Sequence, residues 1–150
     1  TPEGKIVENT KEGISMKVPE GWKVELPTSE QESVSFYSSE IVQGEEGEEF
    51  MCKMTSSVSR EKTDITKLQN EISFNTSELF TVKSHQFEIV EVTGIKALKS
   101  VLNTFETGYS ITVNVPFNDR LYTFIVYAAS NYEEKCSQEF NEFLKTVSIK

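Results

Sequence analysis

The sequence is poor in the residues that usually announce chemistry. Its 150 residues contain one histidine, one tryptophan and two cysteines. A single histidine excludes a zinc site built on histidines, and two cysteines without CxxC spacing exclude a cysteine-based one. No apolar run approaches the roughly 18 residues of a membrane-spanning helix. Among seven glycines, neither GxGxxG nor GxxxxGK[ST] occurs, which disfavours nucleotide enzymes. Basic residues are also scarce. Fifteen lysines and arginines against 24 acidic side chains give a net charge of -9, which repels nucleic acid and supplies no phosphate-tracking stripe. Linkers and repeats are missing too, so residues 1–150 read as one domain, long enough to bury its own core.

What is present is alternation. Ile14, Met16 and Val18 recur every second residue, as a half-buried strand requires, and Pro19 with Gly21 supplies a turn with proline at its second position. Trp22 follows in an extended run to Leu26. A single tryptophan behind a strand-ending turn is expected to cover an end of the core rather than to stack a ligand. Ser33–Ser38 reads as a short strand, Gln43–Glu49 as an acidic loop, and Phe50–Ser59 as a strand with Phe50, Cys52, Met54 and Val58 largely on one parity.

Thr63 or Asp64 can cap the next helix, where Ile65, Leu68 and Ile72 form a stripe that is expected to fray near Asn75–Ser77. From Gln86 onward four extended segments form a meander: 87–92, 96–102, 109–115 and 121–129. The last is apolar at both parities, which predicts helices on both faces of the sheet. Ser130-Asn-Tyr-Glu133 matches a capping box, opening a helix that buries Cys136, Phe140, Phe143, Leu144 and Val147.

Taken in order, these segments resemble the PsbP-like family. The pieces are VPEGW (Val18–Trp22), a middle helix, VTGIKA (Val92–Ala97), VPFNDRLYTFIV (Val115–Val126) and FLKTVSI (Phe143–Ile149). The resemblance spans nearly the whole chain and implies an α+β fold, an antiparallel β-sheet sandwiched between helices. The same fold serves a photosystem II extrinsic subunit, a nuclear-transport factor that binds the GTPase Ran, and bacterial secreted proteins or lipoproteins. Photosystem-binding members rely on basic surface residues, so this acidic chain is more similar to the bacterial extracytoplasmic branch. The chain starts at Thr1 without a methionine, as a processed or trimmed product would; any signal peptide or lipid anchor would have been removed before position 1, and a membrane link is expected only through such an anchor.

The candidate sites are few. Glu45, Glu46, Glu48 and Glu49 could collect a hard cation, but they lack the ligand alternation of a calcium loop, and a solvated acidic loop is the expectation. Cys52 and Cys136 both fall on apolar parities; a disulfide is possible, with two separate buried thiols the favoured alternative. His85, in VKSHQF at the entry to a strand, has no partner at a meaningful spacing and no GxSxG motif to serve. The turn Phe117-Asn-Asp-Arg120 sets an aromatic and an arginine together, residue types enriched in interfaces, on a segment more simply read as a plain turn.

The resulting expectation is a non-enzymatic extracytoplasmic binding or accessory module without a cofactor, whose partner is another protein. A small-ligand or divalent-cation carrier is the alternative. A hydrolase is a weaker third, and it requires a cleft holding His85 beside a serine or cysteine.

Overall fold

The meander predicted from alternation is the centre of the fold. The computed structural model describes residues 6–9, 11–25, 33–38, 40–44 and 47–150. In chain order the elements are β1 (Ile6–Asn9), β2 (Ile14–Lys17), β3 (Lys23–Glu25), β4 (Val34–Tyr37), β5 (Ile41–Gly44), β6 (Gly47–Phe50) and β7 (Cys52–Ser59). There follow α1 (Ile65–Leu79), β8 (Val82–Val92), β9 (Ile95–Thr104), β10 (Gly108–Phe117), β11 (Arg120–Ala128), α2 (Glu133–Leu144) and β12 (Ser148–Ile149).

Seven strands form one antiparallel sheet in the order β3-β4-β7-β11-β10-β9-β8. Two-residue turns join the meander where the chain enters left-handed backbone, at Thr93-Gly94 (φ 48° and 84°) and at Asn118-Asp119 (φ 51° and 58°). Such turns match the twist of the strands they connect. A second sheet, β1-β2-β12, clasps the two ends of the described chain. Lys150 N donates to the Gly13 carbonyl at 2.8 Å. Gly13 has φ 69°, and a Cβ there would meet Lys150 O at 2.6 Å, so only glycine fits.

Helices lie on both faces, as the both-parity burial of the last long strand predicts. Tyr122, Phe124 and Val126 point from β11 into the main core with Phe140 and Phe143 of α2 and Ile14 and Met16 of β2. Leu121 points the other way, to Leu68 of α1 and Leu98 of β9. Coverage by α1 is partial. Lys53, Thr55 and Ser57 of β7 share that face and are half-exposed, and Tyr127 is 40% exposed.

Several local expectations require correction. Trp22 N donates to Pro19 O, so Pro19 opens the turn instead of filling its second position, and Gly21 (φ 81°) takes the third, where positive φ is needed. Trp22 itself is half-buried against the main core. Leu26 lies outside the described residues. Asp64 caps α1, accepting from Lys67 N at 2.8 Å, but the helix continues past Asn75–Ser77 to Leu79. It does so because Thr76 turns inward and is buried, and the Ser77 hydroxyl bonds back to Phe74 O at 2.9 Å.

The capping box does not form. Asn131 adopts φ 76° in a turn closed by Tyr132 N to Ala129 O, which delays the helix to Glu133 and leaves Tyr132 as an N-cap without a side-chain bond. Glu133 and Glu134 in the first turn face the positive end of the helix dipole instead. Val147 is buried, yet beyond the helix, in the approach to β12.

Candidate functional site

The predicted site residues that the structure describes each have a definite place. Cys52 and Cys136 are bonded (S–S 2.05 Å), both fully buried, and the bond ties the start of β7 to α2 across the core. Separate thiols, the reading favoured from composition, are thereby replaced. The alternation had put both sulfurs in the core; only the packing of α2 over β7 brings them together.

Part of the acidic stretch is strand rather than loop. Glu48 and Glu49 lie on β6, paired with Gln43 and Val42 of β5 in a two-stranded hairpin. Consecutive strand residues point to opposite faces, so their carboxylates diverge. Glu45 and Glu46 lie outside the described residues, among which no group of three or more possible metal ligands converges.

Phe117 and Arg120 are occupied within the chain. Phe117 is half-buried against the main core. The Arg120 guanidinium bonds Glu12 Oε2 through Nε, and Arg60 reaches Glu12 Oε1 at 3.3 Å, so both arginines of the chain converge on one carboxylate. Tyr122 Oη donates to the Glu12 carbonyl oxygen. The Glu12 side chain is only 6% exposed, and the bond from Arg120 outweighs desolvation to hold its carboxyl below the usual range. This knot locks the turn before β2 onto the β10–β11 hairpin and gives Arg120 a structural role within the chain. Nothing local signals it, since Glu12 and Arg120 stand 108 positions apart.

His85 lies within β8, not at its entry, and does meet a serine: Nε2 is 2.8 Å from Ser100 Oγ. That is the separation of a nucleophile and its base. The setting is different. Ser100 is 4% exposed in the middle of β9, and the imidazole packs on Phe87 with ring centres 4.4 Å apart. Among the described residues His85 donates no hydrogen bond to a carboxylate that would orient the ring. Desolvation lowers the His85 pKa, keeping it neutral at pH 7 as a partner for the buried hydroxyl.

A further site lies at the end of the main sheet, where the β9–β10 turn, the start of α2 and the β6–β7 junction surround a cleft of about 570 Å³. Its walls carry Phe50, Phe105, Tyr109 and Tyr127 with Lys53 and Lys83. Phe105 is 67% exposed, and Lys83 Nζ stands 4.6 Å from its ring centre. Lys53 lies opposite Tyr127 in the β7–β11 register and opposite Tyr37 in the β4–β7 register, with its Nζ 5.5 Å from the Tyr37 ring. The Phe50 and Tyr37 rings meet tilted at 43°, with centres 4.9 Å apart. Burial and the nearby Glu133 carboxylate raise the Tyr109 pKa, so its hydroxyl stays protonated. Glu106 accepts from Thr81 N with both oxygens at 3.0 Å, which fixes the turn that presents Phe105. Thr81 holds the Glu106 carboxyl below the usual range.

A larger groove of about 840 Å³ between α2 and β8 has a floor of Val90, Val92 and Val113 and a charged rim, but no aromatic residue. Sequence reasoning missed the aromatic cleft because its members come from four separate segments. The one available signal was Phe105, an aromatic in a polar turn between two strands.

The class this architecture defines is one of fold: an α+β domain with the PsbP-like fold. Over its full length the chain is similar to the cyanobacterial PsbP, CyanoP, of Synechocystis, with a TM-score of 0.66, 11% identity and 94% of that chain covered. LpqN, involved in cell envelope biogenesis of Mycobacterium tuberculosis, is similar over 99% of this chain and 86% of its own, with a TM-score of 0.65 and 12% identity. A protein of unknown function from Pseudomonas aeruginosa matches over 99% and 98% of the two chains, with a TM-score of 0.64 and 8% identity. No family model matches the sequence. No curated protein matches it either. At these identities the likeness is one of fold.

Proposed function

We propose that this chain is a non-enzymatic protein-binding accessory module that works outside the cytoplasm, secreted or attached to the cell envelope. The observation that carries the binding role is the cleft at the sheet end, where exposed Phe105 on its fixed turn and exposed Tyr127 of β11 stand beside Lys53 and Lys83. Exposed aromatics on a rigid frame are the anchors around which protein interfaces are built. The location is supported by the buried Cys52–Cys136 bond, of a kind that persists in oxidising compartments, and by the envelope role of the similarly folded LpqN.

The test is affinity capture from a detergent extract of the native cells, washed at rising salt, with wild type compared against Phe105→Ala/Tyr127→Ala. Both side chains are exposed, so the variant is expected to fold. One protein retained by wild type and lost by the variant is the expected result. Equal retention by both would refute the cleft, and no retention at a micromolar-competent concentration would shift the reading to a small-ligand carrier. His85→Ala is expected to leave capture unchanged, and loss of a hydrolytic activity in that variant would refute the non-enzymatic reading.

A further inference from the structure

The interface between α1 and the sheet is not the apolar seam that a helix packed on a sheet normally makes. From α1, Leu68, Ile72 and Thr76 turn inward, and across from them stand Ser100 of β9 with Thr112 and Asn114 of β10. A cavity of about 350 Å³ lies between the two layers. Ser100, Asn114 and Thr76 are 4%, 5% and 7% exposed, so their polar atoms need partners there. Only part of that need is met within the chain. Thr123 Oγ1 donates to Asn114 Oδ1 at 2.9 Å and His85 meets Ser100, which leaves the Asn114 Nδ2 amide and the Thr76 and Thr112 hydroxyls without a hydrogen bond among the described residues. None of the three is sealed in, because among those residues the one side-chain polar atom both fully buried and unbonded is Thr63 Oγ1. They therefore open on the cavity they line.

The remaining walls define what fits. Leu68, Ile72, Leu102 and Leu121 supply apolar surface, and the exposed Glu61 and Glu71 stand at the mouth. No lysine or arginine lines the cavity, and neither carboxylate forms an ion pair among the described residues. We propose that this cavity binds a small organic amine that carries an aliphatic group and a neutral hydroxyl or carbonyl. Glu61 and Glu71 take the ammonium at the mouth, and the aliphatic carbons lie on the leucines. The neutral oxygen accepts from Asn114 Nδ2, and the two threonine hydroxyls complete its bonds. A carboxylate in that inner place would lose its hydration with no cation to replace it, which selects the neutral group. Small-ligand sites hold about 300–1,000 Å³ and set a few placed polar groups in an apolar lining, as here. The cavity shares no residue with the lining of the aromatic cleft and does not depend on that site.

The test is a titration of the full chain with leucinol, whose ammonium, hydroxyl and isobutyl group carry the three features, followed by backbone amide NMR at low salt. Saturable shifts centred on Thr76, Ser100 and Asn114 are expected. Isoamylamine lacks the hydroxyl and leucine has a carboxylate in its place, so each should bind about tenfold more weakly. Glu61→Gln/Glu71→Gln, at exposed positions, should weaken leucinol about tenfold, and high salt should do the same to wild type. Asn114→Leu should abolish binding. Thr76→Val keeps the shape of the side chain and removes only the hydroxyl, so it tests the inner end of the site even if the Asn114 variant fails to fold; it should weaken binding about fivefold. No saturable shift up to about 20 mM leucinol overturns the proposal. So do shifts centred on Phe105, equal affinity for leucinol and isoamylamine, or binding unchanged in both the glutamine and the valine variants.

Discussion

Removing the Cys52–Cys136 bond is expected to cost about 4.5 kcal/mol of stability. The bond joins positions 84 residues apart, and the closure entropy of a loop that long comes to about 4.5 kcal/mol at 25 °C. Unfolding entropy of about 2.1 cal/mol/K per residue, taken over 150 residues, gives roughly 0.32 kcal/mol/K, so Tm should fall by about 14 °C. The variant is C52A/C136A, since alanine leaves no unpaired thiol in a site that is fully buried. Calorimetry or circular dichroism reads the Tm. Guanidinium titration supplies a second reading: an uncrosslinked unfolded chain exposes more surface, so m should rise as the midpoint falls. A Tm drop of less than about 4 °C with m unchanged would refute the loop argument, because the entropy would then not reside in the unfolded state.

Two other predictions concern the knot and one turn. The Glu12 carboxyl is held below its ordinary 4.5 chiefly by Arg120, so its contribution to stability is present above that value and lost as pH falls through the folded-state pKa. Tm against pH should bend downward in acid for wild type and less steeply for Glu12→Gln, which should also be less stable at pH 7 by about 1.5–3 kcal/mol; parallel curves would refute it. Thr93 holds φ 48° despite branching at Cβ, so Thr93→Asn should raise stability by about 1 kcal/mol, or Tm by about 3 °C; an unchanged or lower Tm would refute the strain.

The meander was legible because its signals are local. Alternation marks the strands, and residues such as Gly94 and Asn118 mark the turns between them. Asp64 was legible as a cap for the same reason. What escaped depends on distant partners. The capping box at Ser130 is a sound local pattern overruled by a turn whose first residue, Ala129, hydrogen-bonds to Met51 O. Arg120 looked free because Glu12 is far away in sequence, and His85 looked solitary because Ser100 reaches it only through the β8–β9 register. The β5–β6 hairpin was hidden by its acidic composition, which reads as a solvated loop although the backbone pairs.

The clasp of β12 on β2 has a consequence for how the molecule assembles. Ile149 pairs with Ile14, so the sheet that holds β2 is completed only by β12, the last described strand. Loop closure over that span comes late in folding, after the local hairpins of the meander have formed. Until α2 and β12 dock, Ile14 and Met16 of β2 lack part of the cover they have in the folded core. The Cys52–Cys136 bond, which ties α2 to β7, then holds that cover in place.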